Sequence, residues 1–219
     1  MNIASYIDHT ILKPTTTADD IERLCQEAKE YGFAAVCVPP YFLAEAGDFL
    51  GRDRGIKFAT VIDFPFGYSM LEAKLAAIEE AITYGADEID LVHNIGAMRS
   101  GDWEQNEIVI EMATNLIHER GKIIKVIVES GILTDEELIA CCDLYSLHDI
   151  DFMKTSTGYA EVGATTHAVK LMREHLPEHI QIKASGGIKS YAFAKELIDA
   201  GATRLGCSAS VAIVKEAMQ

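Results

Sequence analysis

Three short apolar stretches of the sequence each contain one lysine: Lys125, Lys154 and Lys183. A fourth stretch contains an acid, Asp90, in a comparable place. Because side chains alternate along a β-strand, these groups would share the face opposite to the apolar one. Ionisable groups on an enclosed face are costly unless they are paired. We expect the four groups to converge on one polar centre, although an isolated strand lysine more often lies along apolar surface with its amine in water.

Two neighbouring lysines with an aspartate suit covalent catalysis on a carbonyl group. A free lysine amine has a pKa of about 10.4 and is protonated at neutral pH, so it is a poor nucleophile. Burial and a second ammonium disfavour the charged form and free the lone pair. One lysine would then act as the nucleophile while the other stays charged. The aspartate would hold the second ammonium and, with water, relay protons.

Two loops near the end of the sequence suit a phosphate group. Gly186 and Gly187 follow the stretch that contains Lys183, and Ser208 lies just before a predicted helix. Glycine lets backbone N–H groups approach phosphate oxygens closely, and a helix N-terminus favours an anion. A Gly-Gly pair alone is more often a plain turn. Its position one strand beyond Lys154 favours a phosphate site instead.

A repeated pattern of an amphipathic segment, a glycine and a β-rich run positions these residues. Gly32, Gly85 and Gly201 each suit the end of a helix, where a left-handed backbone is free of strain for glycine. Tandem helix–glycine–strand units are typical of parallel α/β proteins. We predict a (β/α)8 TIM barrel as a single domain over residues 1–219. The predicted strands are 7–10, 35–38, 58–62, 88–92, 123–128, 151–155, 180–184 and 204–208.

Helices are predicted between these strands, and several have a recognisable start. Thr17 or Asp19 can cap the first helix, Ser69 can cap the third, and Thr134 can open a later one. The alternative fold is an open doubly wound sheet. It lacks support because no Gly-x-Gly-x-x-Gly motif follows an early strand. A final helix at 210–217 favours the closed barrel.

The composition restricts the classes of function. The 219 residues are 49% hydrophobic and 24% charged, with a formal net charge of -15. That charge argues against nucleic acid and anionic membranes as partners. Five cysteines without a C-x-x-C spacing indicate reduced thiols, and no apolar run is long enough to span a bilayer. We expect a cytoplasmic protein, and the cysteines and scattered histidines form no zinc ligand set.

Six ordered segments of the chain resemble deoxyribose-phosphate aldolase. The most specific pair is Lys-Thr-Ser-Thr-Gly at 154–158 with Lys-Ala-Ser-Gly-Gly at 183–187. The six segments are 8–14, 36–38, 85–90, 125–131, 151–158 and 183–188. The resemblance implies a class I aldolase of deoxyribonucleoside catabolism that reversibly cleaves 2-deoxy-D-ribose 5-phosphate to acetaldehyde and D-glyceraldehyde 3-phosphate. It implies no metal or organic cofactor, because an iminium is the electron sink, and it implies a homodimer.

The resemblance also assigns roles to residues. Lys154 would form the Schiff base, Lys183 would depress its pKa, and Asp90 would serve in proton transfer with Lys183 and a water. Cys37 falls in a matching segment but is interpreted as a packing residue. The residues implied to hold the phosphate are Gly158, Gly186, Gly187 and Ser208. Those implied to line the polar centre are Asp8, Thr10 and Lys125.

The chain departs from the pattern of this family in three places. After the last strand, members usually have Gly-Thr-Ser-Ser-Gly, whereas this chain has Gly-Cys-Ser-Ala-Ser at 206–210 and so lacks one hydroxyl and one glycine. Asp63 stands where members usually have glycine. The sequence stops at Gln219 without the tyrosine-bearing tail that helps proton transfer in many members, so that aid would be absent or replaced. We expect weaker dependence on the phosphate and intact lysine chemistry.

Three other functions remain open from the sequence. Another Schiff-base barrel enzyme, such as a keto-sugar-phosphate aldolase or a transaldolase, would use a donor other than acetaldehyde. A non-catalytic sugar-phosphate-binding barrel is supported by the altered phosphate loop and opposed by Asp90, Lys154 and Lys183. A metal-dependent aldolase is opposed by the scattered histidines and would be sensitive to a chelator.

Overall fold

The computed structural model describes residues 1–51 and 55–219, in which eight parallel strands close into a barrel. Each strand pairs with its successor in the sequence, and the last pairs with the first. The predicted (β/α)8 TIM barrel is confirmed. The strands are β1 (Ile7–Thr10), β2 (Ala35–Val38), β3 (Lys57–Ile62), β4 (Glu88–Val92), β5 (Ile123–Ile127), β6 (Phe152–Lys154), β7 (Gln181–Ser185) and β8 (Arg204–Cys207).

Helices join the strands and cover the outside of the barrel. In the described residues, no helix has the length and apolar character needed to cross a membrane. Short 3-10 turns lie at Ile3–Tyr6, Pro40–Phe42 and Ser130–Ile132. The α-helices are α1 (Ala18–Tyr31), α2 (Leu43–Leu50), α3 (Leu71–Thr83), α4 (Ile95–Arg99), α5 (Trp103–Glu119), α6 (Asp135–Tyr145), α7 (Thr166–His175), α8 (Tyr191–Asp199) and α9 (Ser210–Ala217).

Most helix ends follow the local sequence. Of the two candidate caps for α1, Thr17 is the one used, in a capping box with Asp20. Thr134 opens α6 in the same way, with Glu137. The glycines predicted after helices have left-handed or related φ angles of 68°, 96° and 119° at Gly32, Gly85 and Gly201.

The prediction that Ser69 caps α3 is wrong. The backbone N–H and the hydroxyl of Ser69 both donate to the carboxylate of Asp63, at 2.9 and 2.7 Å. The helix therefore begins after Met70 without a side-chain cap. A serine before a helix was a reasonable signal, but the acid six residues earlier competes for its hydrogen bonds.

Every strand bound agrees with the prediction to within one residue. The bounds of β2, β4 and α9 are as predicted. Strand β7 begins one residue later than predicted, because the backbone N–H of Ile180 donates to Pro177 O in the preceding turn. Its last residue, Ser185, still pairs with Gly206 on β8. The apolar alternation therefore located the strands, while turn hydrogen bonds determined their ends.

The barrel strands separate two different interiors. Outward side chains such as Ile89, Leu91 and Val126 pack with the helices in the main apolar core. The inner wall at β2 and β3 is also apolar, and it contains Cys37, Ala59 and Val61. Cys37 is thus a packing residue, as interpreted from the sequence. The remaining inner surface carries buried ionisable side chains, namely Asp8, Glu88, Asp90, Lys125, Lys154 and Lys183.

Candidate active site

Asp90 lies inside the barrel and accepts hydrogen bonds from three lysines. Its Oδ2 accepts from Lys154 Nζ at 2.8 Å and from Lys183 Nζ at 2.7 Å. Its Oδ1 accepts from Lys125 Nζ at 2.7 Å. All four side chains are buried. The structure therefore brings together the four groups that the sequence predicts will converge.

Strand register and one glycine determine this arrangement. Asp90 on β4 lies beside Lys125 on β5, and Lys154 on β6 lies beside Lys183 on β7. On β8, Gly206 leaves space for the lysine stem, since a Cβ there would lie 3.2 Å from Lys183 Cε. The parallel ladder thus places two amines around one carboxylate oxygen.

Burial and neighbouring charges separate the protonation states of these lysines. Burial lowers the pKa of Lys154; Asp90 opposes this effect, and the Lys183 ammonium adds to it. Burial would also lower the pKa of Lys183, but the carboxylates of Asp8 and Asp90 raise it above its usual value. Burial would raise the pKa of Asp90, but the charges of the lysines hold it well below its usual range. Lys154 is therefore suited to be a neutral nucleophile and Lys183 to stay an ammonium.

A second group of charges lies at the N-terminal ends of the strands. Arg204 Nη1 contacts Asp8 Oδ1 at 2.6 Å and Glu88 Oε2 at 3.1 Å. Burial would raise the pKa of Asp8, but the charges of Lys183, Lys125 and Arg204 lower it to about 2. Glu88 was detectable from the sequence, because alternation places it on the same strand face as Asp90. No local pattern marks Arg204.

A cavity of ≈ 420 Å³ opens at the other end of the barrel. Lys154 lines this cavity and also belongs to the buried cluster, so its amine connects the two. The predicted site residues that line it are Thr10, Lys154, Gly158, Gly186, Gly187 and Ser208. Those that lie beneath it, fully buried, are Asp8, Asp90, Lys125 and Lys183. Asp8 and Lys125 thus belong to the polar centre but not to the cavity wall.

Glycine backbone forms one wall of the cavity. Gly158, Gly186 and Gly187 have φ angles of 89°, 87° and 78°, which side chains rarely adopt. A Cβ on Gly186 would lie 3.1 Å from Gly163 Cα and 3.4 Å from Gly158 Cα. The loops that follow β6 and β7 therefore approach each other closely at these glycines. This exposes peptide groups to the cavity, as a phosphate site requires.

Two of the three altered residues, Cys207 at the end of β8 and Ser210 at the start of α9, turn away from the cavity. Cys207 packs in the main apolar core. Ser210 is buried, where its Oγ lies 2.9 Å from His9 Nδ1 and donates to Cys207 O at 3.0 Å. The third altered residue, Ala209, precedes α9 and provides no side-chain cap. Among these loop residues, Ser208 lines the cavity as predicted.

Two exposed lysines, Lys13 and Lys189, also line the cavity. Neither lies in a strand, so the alternation that picked out the other lysines does not reach them. The sequence signal for these two cavity residues is their position: Lys13 lies three residues after Thr10, and Lys189 lies two residues after Gly187. In the part of the chain that the structure describes, no group of three or more His, Cys, Asp and Glu side chains is placed to hold a metal ion.

Glu129 is a further buried acid that the sequence did not single out as a site residue. It follows β5 with a left-handed backbone of φ 55°. Its carboxylate accepts from the backbone N–H of Thr157 at 3.2 Å and from the Thr157 hydroxyl. Burial raises the pKa of Glu129, against those hydrogen bonds and the nearby charge of Lys154. Glu129 thus anchors the loop that connects Lys154 to Gly158.

A family model described as DeoC/LacD family aldolase matches residues 2–214 of the chain. The chain belongs to this aldolase family. The match extends from the residues before β1 into α9 and so includes every strand that contributes to the site. An aldolase of this family breaks or forms a carbon–carbon bond next to a carbonyl group, which is the chemistry that the lysine cluster suits.

Relatives of known name cover nearly the whole chain. The deoxyribose-phosphate aldolase of Caldanaerobacter subterraneus subsp. tengcongensis is 46% identical over 217 residues, which are 99% of this chain and 94% of that protein. The one from Aciduliprofundum boonei is 47% identical over 213 residues, 97% of this chain and 96% of that protein. The structure of deoxyribose phosphate aldolase from Aeropyrum pernix, described as tetrameric, has a TM-score of 0.90 at 30% identity, with 99% of this chain and 91% of that chain covered.

Proposed function

We propose that the chain is a class I deoxyribose-phosphate aldolase, which reversibly cleaves 2-deoxy-D-ribose 5-phosphate to acetaldehyde and D-glyceraldehyde 3-phosphate. The observation that carries the proposal is the position of Lys154. Its side chain lines the cavity, while burial and the Lys183 ammonium disfavour the protonated form of its amine. The names of the relatives support the choice of substrate.

In the first step, the neutral amine of Lys154 attacks the aldehyde carbon C1 of the open-chain sugar. Loss of the carbinolamine hydroxyl as water gives an iminium between Lys154 and C1. The proton needed by the departing water comes from the Asp90–Lys183 pair through a bound water. Asp90 Oδ2 already contacts both amines, so it can reorganise its hydrogen bonds as Lys154 becomes covalently bound.

In the second step, the C3 hydroxyl gives its proton through the bound water to the Asp90–Lys183 pair, which regains the proton it lost in the first step, and the C2–C3 bond breaks. The electron pair of that bond moves into the iminium, which becomes an enamine, and D-glyceraldehyde 3-phosphate departs. The same pair and water then protonate the enamine at C2, and addition of water to the new iminium releases acetaldehyde and free Lys154 and returns the proton to the pair. The iminium supplies the electron sink, so the sequence of steps is complete without a metal or an organic cofactor.

We place the phosphate of the sugar against the glycine wall of the cavity. Gly158, Gly186 and Gly187 would offer backbone N–H groups, and Ser208 would offer its hydroxyl. Thr10 lines the same cavity and would contact the sugar itself. This distribution puts the reacting carbon at Lys154 and the anion at the loops after β6, β7 and β8.

We also propose that the protein works in the cytoplasm as a homodimer. The five free, buried thiols suit a reducing compartment. The tetrameric relative from Aeropyrum pernix supports self-association in the family. Light scattering on the purified chain would give twice the monomer mass, whereas a monomer mass at micromolar concentration would contradict the dimer.

Borohydride trapping with acetaldehyde tests the mechanism. Wild type, Lys154→Ala and the surface variant Lys170→Ala are each incubated with acetaldehyde, reduced, and analysed by intact mass and peptide mapping. We expect a reduced two-carbon adduct on Lys154 in wild type and in Lys170→Ala, which alters an exposed residue of α7. We expect none in Lys154→Ala.

The same experiment separates the alternatives. An adduct that survives Lys154→Ala would overturn the assigned nucleophile. No adduct in wild type would favour a sugar-phosphate-binding protein without turnover. Trapping by a keto sugar phosphate in preference to acetaldehyde would favour a transaldolase or another Schiff-base aldolase.

A further inference from the structure

A continuous network of ion pairs runs through the barrel from Lys154 to Arg204. Asp90 joins Lys154, Lys125 and Lys183 at the cavity end. Lys125 Nζ then contacts Glu88 Oε2 at 2.6 Å, and Arg204 continues the network from Glu88. The other branch runs from Lys183 through Asp8, at 2.5 Å, back to Arg204. Every member is fully or nearly fully buried except Arg204, whose side chain is 14% exposed.

The charges of this network balance only when Lys154 is neutral. Its carboxylates are Asp8, Glu88 and Asp90, and its cations apart from Lys154 are Lys125, Lys183 and Arg204. A proton on Lys154 would add a fourth cation to three carboxylates. A net charge in an enclosed, low-dielectric interior is strongly disfavoured.

The buried side chains of β2 and β3, and Cys207 on β8, add no charge to this network. On β2, burial raises the pKa of the Cys37 thiol to about 11, so the thiol is neutral. On β8, burial raises the pKa of the Cys207 thiol to about 12. The inner face of β3 presents Ala59 and Val61. Glu129, after β5, is a buried carboxylate that interacts with the charge of Lys154, but it forms an ion pair with no member of the network and is held by Thr157 instead.

We propose that Glu88 and Arg204 are positioning residues for the nucleophile: by fixing the charge of the enclosed network, they make Lys154 the amine that stays without a proton. Neither residue lines the cavity, so neither touches the substrate. Both act through neighbours, Glu88 through Lys125 and Arg204 through Asp8. Arg204 also lies over the ring of Phe152, at 5.6 Å, on the strand that carries Lys154. This inference rests on the nucleophile assigned in the proposed function.

The test follows the pH dependence of acetaldehyde trapping at Lys154, with cyanoborohydride as the reductant and peptide mapping as the readout. Arg204→Met removes one positive charge and leaves a carboxylate in excess. We expect the midpoint of trapping to move up by about one pH unit. Glu88→Gln removes one negative charge, and we expect the midpoint to move down by about as much.

Charge-restoring variants separate this effect from damage to the fold. The double variant Glu88→Gln/Arg204→Met has a balanced network again, and we expect it to return to the wild-type midpoint. Arg204→Lys keeps the charge and should also keep the midpoint. Arg120→Met is the matched control, because it removes an arginine from a half-exposed pair with Glu79 and should leave the midpoint unchanged.

The possible failures are distinct. No trapping at Lys154 in the wild type would overturn the proposed function itself. Trapping at Lys154 with one midpoint in the wild type and both single variants would overturn the role of Glu88 and Arg204 alone. Opposite shifts that the double variant does not reverse would also overturn it, because charge balance would then not be the cause. If Arg204→Met does not fold, Glu88→Gln and the double variant still decide the question.

Discussion

Lys154 and Lys183 donate to the same oxygen, Asp90 Oδ2, at 2.8 and 2.7 Å. One carboxylate oxygen therefore draws two amines together that would otherwise repel each other as ammonium ions. The two lysines differ in their other partners, because Lys183 also contacts Asp8 at 2.5 Å. The extra carboxylate selects Lys183 as the amine that retains its proton. Lys154, which lines the cavity, is left as the better nucleophile.

Replacement of the charged lysine should impair the reaction through its neighbour. In Lys183→Met, the ammonium that lowers the pKa of Lys154 is gone, and Lys154 is the only amine left at Asp90 Oδ2, while Lys125 stays at Oδ1. We expect kcat/KM for 2-deoxyribose 5-phosphate at pH 7 to fall by roughly 10²–10⁴-fold, the usual size of a lost acid–base group. The fall should shrink as the pH is raised, because alkali deprotonates Lys154 without help.

Steady-state kinetics from pH 6 to pH 10 would check this expectation. Lys170→Met, at an exposed position of α7, is the matched control and should behave as the wild type. A Lys183→Met enzyme with the same loss at every pH would show that Lys183 acts only in proton transfer and does not tune Lys154.

The carboxylate of Asp8 should make stability depend on pH in acid. Its pKa is lowered to about 2 in the folded protein from 3.8 in the unfolded chain. A lowered pKa contributes stability that is fully present above pH 3.8 and is lost as the pH falls to about 2. The lost contribution amounts to about 2 kcal/mol. The Asp8→Asn protein should be less stable at pH 6, and its stability should change less between pH 4 and pH 2.

Urea unfolding at intervals from pH 2 to pH 6 measures both effects. Asp48→Asn, at an exposed position of α2, is the matched control. Parallel stability curves for Asp8→Asn and the wild type across this range would contradict the assignment to Asp8.

A hydroxyl at the start of α9 should strengthen the phosphate site. Ala209 is the residue before that helix and cannot cap it. In Ala209→Ser, the new hydroxyl can bond to a free N–H of α9 or to the phosphate. A hydrogen bond to a charged group contributes about 1.5–3 kcal/mol. We therefore expect kcat/KM for 2-deoxyribose 5-phosphate to rise by roughly tenfold or more, with no change for 2-deoxyribose.

The ratio of kcat/KM for 2-deoxyribose 5-phosphate to kcat/KM for 2-deoxyribose tests the phosphate site in the unmodified protein. The preference for the phosphorylated sugar should be weak, because a hydroxyl and a glycine of the family pattern are missing from the loop at 206–210. Ala212→Ser, one turn further along α9, is the control, because Ala212 is exposed and does not line the cavity that contains Lys154. A strong preference in the unmodified protein would contradict this prediction, and Lys13 and Lys189, which line the cavity, would be the next residues to replace.

Much of the barrel could be predicted because parallel buried strands impose a simple pattern. Ile89 and Leu91 face the helices while Glu88 and Asp90 face the barrel axis, and one strand suffices to show this alternation. The same alternation places Lys125 on the inner face of β5, between Ile124 and Val126 on the outer face. The convergence of such residues then followed from closure of the barrel.

The rest depended on contacts between residues far apart in the sequence. Arg204 stands beside Asp8 and Glu88 only after β8 has closed on β1. Its position at the start of a strand gives no hint of either partner. Ser69 fails as a cap for a more local reason: Asp63, six residues earlier, accepts the hydrogen bonds of its backbone N–H and its hydroxyl. Local signals located the elements, and tertiary contacts decided which polar groups pair.

Asp63 occupies a position of positive φ. Its φ angle is 55°, a left-handed conformation that favours glycine, so the family glycine has a physical reason here. The aspartate has a compensating role. Its Oδ2 lies 3.0 Å from Nζ of Lys74, a side chain on α3 that is buried. Without that carboxylate, the ammonium would keep only the backbone oxygens of Gly67 and Val92.

We therefore expect Asp63→Gly to destabilise the protein although it relieves the backbone. An ammonium left buried without its acid costs about 3 kcal/mol or more, whereas relief of a left-handed residue returns about 1 kcal/mol. Asp63→Ala should be worse than Asp63→Gly by about 1 kcal/mol, because alanine keeps the strain. Urea unfolding at pH 7 measures the free energy of unfolding of the wild type and of both variants, and so gives both differences in stability. In the double variant Asp63→Gly/Lys74→Met, the unpaired ammonium is also gone from this site, so most of the lost free energy of unfolding should be recovered. An Asp63→Gly protein as stable as the wild type would show that Lys74 does not need this partner.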